Sequence, residues 1–355
     1  MQSADESTTL ADWIAQRFGG VPPQSLIVIA GDASPRRYFR ASYPAKTAHQ
    51  PPITYIAVTS PASENNPAFV HVCRLLAEAG VRVPHLLHYD LDRGYLLLED
   101  LGDETLLPLL SSDSVGAWYG MAFRALQLMV AIDPRAAALP LYDDQRLGTE
   151  LNLFKDWFVQ TLLNYPWQQA HELVFNQLSD ILKRNAAEQP QVVVHRDFHS
   201  RNLMCLNNGE LAVIDFQDAV IGPLTYDPVS LLKDCYIQWP RSRQLAWLRN
   251  YQIDMVAAGI LSDTPDLETQ FIRWFDLMGL QRHLKVLGIF ARLALRDSKP
   301  NYLNDLPLVV AYVRQALTLY RESESSVASF ADWFEAELMP LIVTQPWYNE
   351  CTLQP

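Results

Sequence analysis

The sequence has no run of about 18 uninterrupted apolar residues, so it offers no membrane-spanning helix. Its N-terminal stretch, with Asp5 and Glu6, lacks the basic and then apolar regions of a secretory signal, and a cytoplasmic protein is the expectation. The four cysteines, Cys73, Cys205, Cys235 and Cys351, form no C-x-x-C pair. That argues against a zinc site or a disulfide framework and leaves free thiols. Internal repeats and low-complexity tracts are missing as well. Positive charge is in short supply: 28 Lys and Arg stand against 40 Asp and Glu, a net charge of −12. Nucleic acid is therefore not expected as a general partner, although a locally basic pocket for phosphate is not excluded.

What remains is a globular composition, 49% hydrophobic and 19% charged. A length of 355 residues exceeds one ordinary core and suggests two lobes. The first hundred residues read mostly as strands. An amphipathic helix over 7–18 is followed by strands at 26–30, 37–42 and 53–59, a helix over 67–79 closed by Gly80, and strands at 85–89 and 95–99. Between the first two strands lies the turn-rich loop Gly31-Asp32-Ala33-Ser34-Pro35. After Gly102 the pattern turns helical, with helices expected around 112–132, 149–164, 168–187, 225–237, 241–259, 265–297, 304–322 and 328–338. The expected division is an N-terminal lobe over 1–98, a hinge at 99–102 and a helical lobe over 103–355.

The chemistry concentrates in Val193–Asp218. A short apolar strand, 192–194, runs into His195-Arg196-Asp197, and Asn202 follows five residues after the acid. Strands at 203–206 and 211–214 flank the hairpin signal Asn207-Asn208-Gly209, and the second ends on Asp215. An acid, an amide and a second acid are thus expected to converge at one sheet edge. Such a set suits phosphoryl transfer. Mg²⁺ prefers oxygen ligands and is usually held by one or two carboxylates plus substrate phosphates. A further carboxylate can orient and deprotonate an attacking hydroxyl. Asn202 and Asp215 are the expected metal ligands, and Asp197 the expected base.

Other residues carry weaker signals. Asp227-Pro228 reads as a helix start, with Asp227 as a structural cap near the active loop. Asp218 and His195 would support the site from behind. Glu150 is either a first-turn glutamate favoured by the helix dipole or a hydroxyl-binding group for the acceptor. Arg282, His283 and Lys285, on the helix expected over 265–297, form either a solvated basic face or an anion-binding group.

The order H-R-D-x-x-x-x-N followed by a metal-binding Asp resembles the protein-kinase catalytic loop. With HRDFHSRN (195–202) and IDFQD (214–218), the chain resembles the aminoglycoside phosphotransferase/choline kinase family. Within it, GDASPRRYFR (31–40), LLLEDLG (96–102), IDFQDAVIGPLTYDPVSLLKD (214–234) and GLQRHLKVLGIFARL (279–293) are similar to the bacterial anomeric kinases of N-acetylmuramate and N-acetylglucosamine.

The resemblance implies an α+β, protein-kinase-like two-lobed fold. It also implies ATP and Mg²⁺ as cofactors and an amino-sugar substrate, phosphorylated at the anomeric hydroxyl in cell-wall recycling. The hinge at Glu99, Asp100 and Leu101 would hold adenine, Ser34 and the arginines of its loop would meet phosphate, and Arg201, Glu150, Arg282 or His283 would bind acceptor. Other acceptors (an aminoglycoside, choline, homoserine) stay open, as does a nucleotide-binding pseudokinase. Oligomeric state is not legible. One departure stands out. Strand 53–59 has no lysine, and the helix after it has no glutamate at its middle, so the usual Lys–Glu ion pair is missing as a whole. Arg37 or Arg40 is the expected substitute.

Overall fold

The computed structural model describes residues 2–29, 35–45, 47 and 51–354, with the backbone alone for 2–7. The chain divides into two units, Met1–Leu106 with Asn202–Asp218, and Leu107–Arg201 with Ala219–Pro355.

The first unit opens with helix α1 (Gln2–Arg17) and strands β1 (Ser25–Ile29), β2 (Arg37–Tyr43) and β3 (Ile53–Thr59). Helix α2 (Asn66–Glu78) and strands β4 (Leu86–Asp90) and β5 (Tyr95–Glu99) follow. The strands form one antiparallel sheet in the order β1-β2-β3-β5-β4. Alternation fixes what each face of β2 does. Phe39, Ala41 and Tyr43 join Ala57 and Leu97 in a core closed by Leu10, Trp13 and Ile14 of α1. Helix α2 starts at Asn65, whose side chain accepts from the Ala68 amide at 3.2 Å, and ends at Gly80, at φ 86°.

The second unit holds α3 (Val115–Val130), α4 (Asp144–Leu153), a π-helical continuation Phe154–Leu162, α5 (Gln169–Ala187) and strand β6 (Gln191–Val194). Strands β7 (Leu203–Cys205) and β8 (Leu211–Val213) belong to the first unit. Strand β9 (Val220–Pro223) and helices α6 (Tyr226–Leu232), α7 (Arg241–Ala257), α8 (Leu267–Leu295), α9 (Leu306–Tyr320), α10 (Ser325–Trp333) and the short α11 (Met339–Ile342) belong to the second. Leu280, Leu284 and Leu287 of α8 lie in one core with Phe154, Phe158, Leu182, Val310 and Val313. Trp239, Trp274, Trp333 and Trp347 are buried, so these indoles serve the interior. Helix α8 approaches the α4 end at Gly288, where a Cβ would fall 2.2 Å from the Leu153 carbonyl carbon.

Three sequence expectations change. β9 was not expected; its Val220 pairs with Val194 and its Ile221 with Val193, so β6 and β9 make one two-stranded sheet and β7 and β8 another. The His195–Asp218 stretch therefore feeds two sheets, not one sheet edge. Second, 202–218 packs with the first unit, because β7 and β8 find their backbone partners there. The Cys205 amide donates to the Glu104 carbonyl, Leu106 to Leu203 and Val213 to Arg82, each at 2.8 Å. The first unit thus runs to Leu106, past the boundary expected at 98, and takes in Asn202–Asp218, expected in the helical lobe. Third, the helix expected from 149 begins at Asp144, capped by Asp143, whose carboxylate accepts from the Arg146 amide at 2.9 Å.

Among the described residues no helix is long and apolar enough to cross a membrane. The four cysteines are free, and Cys73, Cys205 and Cys235 are buried.

Candidate active site

In the second unit, β6 delivers the chain to His195, and Arg196 takes φ 77°. A non-glycine residue there costs ~1–3 kcal/mol and persists only where neighbours hold it. The holder is Asp227. Its carboxylate accepts from the His195 amide at 2.7 Å and the Arg196 amide at 3.0 Å. Asp227 is therefore not the cap of its own helix; Thr225 occupies that position, and Asp227 clamps the loop. Satisfying two amides of the loop outweighs the local Asp-Pro preference. Burial raises the Asp227 carboxyl to about 7, against the pull of those two amides. The His195 ring is buried and accepts from the Asp197 amide through Nδ1 at 3.3 Å.

The Arg196 guanidinium donates to Glu150, which also accepts from the Tyr142 hydroxyl and lies 3.1 Å from Lys285 Nζ. Lys285 reaches the Tyr226 hydroxyl at 3.0 Å. Glu150 is the seventh residue of α4, so the first-turn dipole reading fails, and its carboxylate is already engaged by three donors. It anchors the Arg196 side chain. Burial works against the charge of Asp197, but Lys285, His199, Arg196 and Arg282 together hold its carboxyl down at about 2. The Asp197 carboxylate stays ionised at any ordinary pH.

The late-helix basic residues do not form a solvated face. Arg282, His283 and Lys285 are all buried. His283 stacks on Tyr312 with centroids 4.7 Å apart and meets the Lys233 carbonyl at 3.0 Å through Nε2. Burial lowers its pKa to about 3, so it is a neutral core residue and not an acceptor ligand. Arg282 has one guanidinium nitrogen, Nη1, buried without a hydrogen-bond partner. Arg201 is exposed and lies over the Tyr236 ring at 3.6 Å.

In the first unit the β7–β8 hairpin turns at Gly209, φ 81°, and brings Asn202 and Asp215 together. Asn202 Nδ2 lies 3.3 Å from Asp215 Oδ2, and Gln217 Nε2 donates to Asp215 Oδ1 at 2.8 Å. Asp215 is exposed at φ 64°. Phe216 anchors it from below, packed against Phe69 at 5.0 Å. One carboxylate and one amide, both hard oxygen donors, fit Mg²⁺ that keeps substrate and water oxygens in its other positions. Among the described residues no cluster of three or more His, Cys, Asp or Glu could hold a metal by itself. Asp218 is exposed.

At the expected hinge, Glu99 pairs with Arg82 at 2.5 and 2.8 Å and accepts from the His85 amide at 3.1 Å. Asp100 pairs with Arg40 at 2.6 and 2.9 Å and accepts from the Gly102 amide at 3.0 Å. Arg40 also meets Asp103 at 2.8 Å. Asp100 and Asp103 thus both engage Arg40, so its charge is already balanced by two carboxylates. Arg37 lies 5.3 Å from the Phe39 ring, on the face of β2 that builds the α1 core. Leu101 follows in the same segment, and Ser34 lies outside the described residues. Sequence reasoning missed the roles of Asp227, Glu150 and Lys285, because more than thirty residues separate Asp227 from its two amides and Glu150 from Arg196 and Lys285.

Comparison with known proteins bears on this geometry. A model of the "Phosphotransferase enzyme family" matches residues 25–261. An N-acetylmuramate/N-acetylglucosamine kinase of Pseudomonas aeruginosa is 41% identical over 305 residues, covering 86% of this chain and 87% of the relative. The enzyme of that name from Pseudomonas putida is 41% identical over 300 residues, covering 84% and 86%. Among solved structures, an ethanolamine kinase of Plasmodium vivax superposes with a TM-score of 0.61 over 84% of each chain at 12% identity, a likeness of fold alone.

Proposed function

The chain belongs to the phosphotransferase enzyme family, and from that premise we propose that it transfers the γ-phosphoryl group of ATP to the anomeric hydroxyl of N-acetylmuramate or N-acetylglucosamine. The observation that carries the acceptor is 41% identity to kinases of that name over most of both chains. The chemistry rests on Asp197 and on the Asn202–Asp215 pair.

Asp197 orients the sugar hydroxyl. A carboxylate held near pKa 2 is a weak base, so it positions the nucleophile first and receives its proton late, which suits a loose phosphoryl-transfer transition state. An anomeric hydroxyl is more acidic than other sugar hydroxyls and needs the least help from a weak base. Asn202 and Asp215 would hold Mg²⁺, which supplies positive charge against the phosphates when bound. Backbone groups of Glu99, Asp100 and Leu101 would pair with adenine, while the Arg82–Glu99 and Arg40–Asp100 bridges hold that segment in shape. The Asp227 clamp and the Glu150 anchor keep Asp197 in place.

A cationic acceptor fits less well. The strongest influences on the Asp197 charge, after burial, are four basic side chains, Lys285, His199, Arg196 and Arg282. They favour a neutral or anionic acceptor over choline or an aminoglycoside, and the lactyl carboxylate of N-acetylmuramate meets that preference.

The test offers ATP with N-acetylmuramate, N-acetylglucosamine, kanamycin or choline and reads the phosphorylated position by NMR. Sugar-dependent ATP consumption giving a 1-phosphate is expected. Turnover with kanamycin or choline alone, or phosphate on another hydroxyl, would overturn the proposal.

A further inference from the structure

Four residues after Asp197, the second unit presents Arg201 to solvent. Its guanidinium lies 3.6 Å from the centroid of the Tyr236 ring, a stacking distance. Other basic side chains of this unit are committed to carboxylates inside it. Arg196 and Lys285 share Glu150, and Lys233 and Arg241 share Asp276. Arg201 differs: among the described residues no carboxylate closes an ion pair on it. Asp305 feels its charge, which pulls against the rise that burial imposes on the Asp305 carboxyl.

One buried carboxylate sets both halves of the stack. Asp234 accepts from the Ser200 amide at 2.9 Å and from the Ser200 hydroxyl at 2.5 Å, which fixes the residue before Arg201. Its other oxygen accepts from the Tyr236 amide at 3.1 Å. The Tyr236 ring stacks with Phe290 of α8 at 6.2 Å and meets the His199 ring edge-on at 5.4 Å. Phe290 packs in turn on Tyr302 at 5.1 Å. A guanidinium lying on a ring held in this way keeps its N–H donors in its own plane, open to a bidentate partner. The chain from Asp197 to Arg201 spans at most about 14 Å when extended. A turn shortens it, where the His199 amide donates to the Asp197 carbonyl at 3.0 Å. A sugar with its anomeric hydroxyl at Asp197 therefore carries its other ring substituents into the reach of the Arg201 side chain.

We propose that Arg201, laid on Tyr236, binds the lactyl carboxylate of N-acetylmuramate and sets the preference for that sugar over N-acetylglucosamine, which lacks the group. The inference rests on the kinase reading above and deepens it. A planar, permanently charged fork matches a carboxylate in two parallel hydrogen bonds, and a lysine in its place would not. Tyr236 is a positioning residue that holds the fork flat and limits the side-chain freedom lost on binding. A nucleotide phosphate offers similar anionic chemistry. The acceptor is favoured because Arg201 shares its loop with Asp197, the residue that receives the sugar hydroxyl.

The test measures kcat/KM for N-acetylmuramate, its lactyl amide and N-acetylglucosamine in the unaltered chain, R201A, R201K, Y236F and Y236L. Calorimetry follows binding of MgADP and of both lactyl forms, and Tm is recorded for each variant. R201A is expected to lower the ratio of N-acetylmuramate to N-acetylglucosamine kcat/KM by about tenfold or more, the scale of one charge-assisted pair. The unaltered chain should favour the acid over the amide by a similar factor, and R201A should separate the two by less than about twofold. R201K, a point charge without the fork, should keep part of the ratio. Y236L should lower the ratio, and Y236F, which retains the ring, should preserve it. An unchanged ratio in folded R201A would overturn the proposal. So would a loss of MgADP affinity in place of the acid–amide difference, which would give the arginine to a nucleotide phosphate. Sugar turnover with no acid–amide difference would remove the role of Arg201 and leave the kinase reading standing. Failure of the unaltered chain to phosphorylate either sugar would count against the kinase reading; the calorimetric acid–amide comparison needs no turnover and would still decide the role of Arg201.

Discussion

Removing the charge of Glu150 tests how the catalytic loop is held. Glu150 is 8% exposed, and its carboxylate accepts from Tyr142, Arg196 and Lys285. In E150Q the hydrogen-bonding shape is largely kept, but two buried cations lose their counter-charge. Breaking a buried ion pair from one side costs ~3–5 kcal/mol, and the retained amide hydrogen bonds return ~1 kcal/mol of that. A net loss of about 3 kcal/mol follows, which for a unit of roughly 230 residues lowers Tm by ~6–12 °C. Because the chain has two units, the transition of the second is the one to follow, by circular dichroism and calorimetry together. Activity should fall too, since Arg196 carries a positive φ and loses its side-chain anchor next to Asp197. The double variant E150Q/K285M removes one of the stranded cations and should be less damaged than the sum of its parts. A Tm within 2 °C of the unaltered protein, with undiminished kcat, would refute the anchoring role.

D227N should cost ~1–3 kcal/mol and lower kcat, because the amide group that replaces one carboxylate oxygen presents donors to the donors of His195 and Arg196; urea unfolding and turnover read both effects. G288A puts a Cβ 2.2 Å from the Leu153 carbonyl carbon and 2.5 Å from the Phe154 nitrogen, backbone atoms that cannot swing away, so a loss of ~1–3 kcal/mol or more is expected in the same unfolding experiment. The Asp197 carboxyl lies below its ordinary value, at about 2, so its contribution to stability is fully present above the unfolded pKa near 4 and is lost as pH falls through 2. Allowing for solvent screening at a half-buried group, this amounts to ~1–2 kcal/mol in the difference between the unaltered protein and D197N, measured by urea unfolding from pH 2 to 7; a difference independent of pH would contradict the assignment.

The phosphotransferase family was readable because the residues that carry the resemblance lie close together in the chain. His195, Asp197, Asn202 and Asp215 fall within twenty-one positions, and Asn207-Asn208-Gly209 announces the hairpin that joins them. The sheet of the first unit was readable for the same reason: β3 matches its expected limits, and Gly80 ends α2 one residue after its last turn. The parts that were not readable are matters of distant pairing. Val220–Pro223 looks like a loop until Val192–Val194 comes beside it. Asp227 has an adequate local use as a helix cap, and two amides thirty residues earlier override that use. Nothing in the sequence shows that Arg40 is paired with Asp100 and Asp103, sixty residues on. The sequence left Arg282, His283 and Lys285 as either a solvated face or an anion-binding group, because nothing nearby in the chain reveals Glu150 beside Lys285. Nor does composition show that Arg196 and Asp215 adopt a backbone region usually left to glycine.

The most direct test of the central claim is turnover of D197N with MgATP and N-acetylmuramate, followed by phosphorus NMR. The account predicts a 1-phosphate from the unaltered protein and a kcat lower by ~10²–10⁴ in a variant that keeps its fold and its MgADP affinity. D197N turnover within tenfold of the unaltered chain would contradict it.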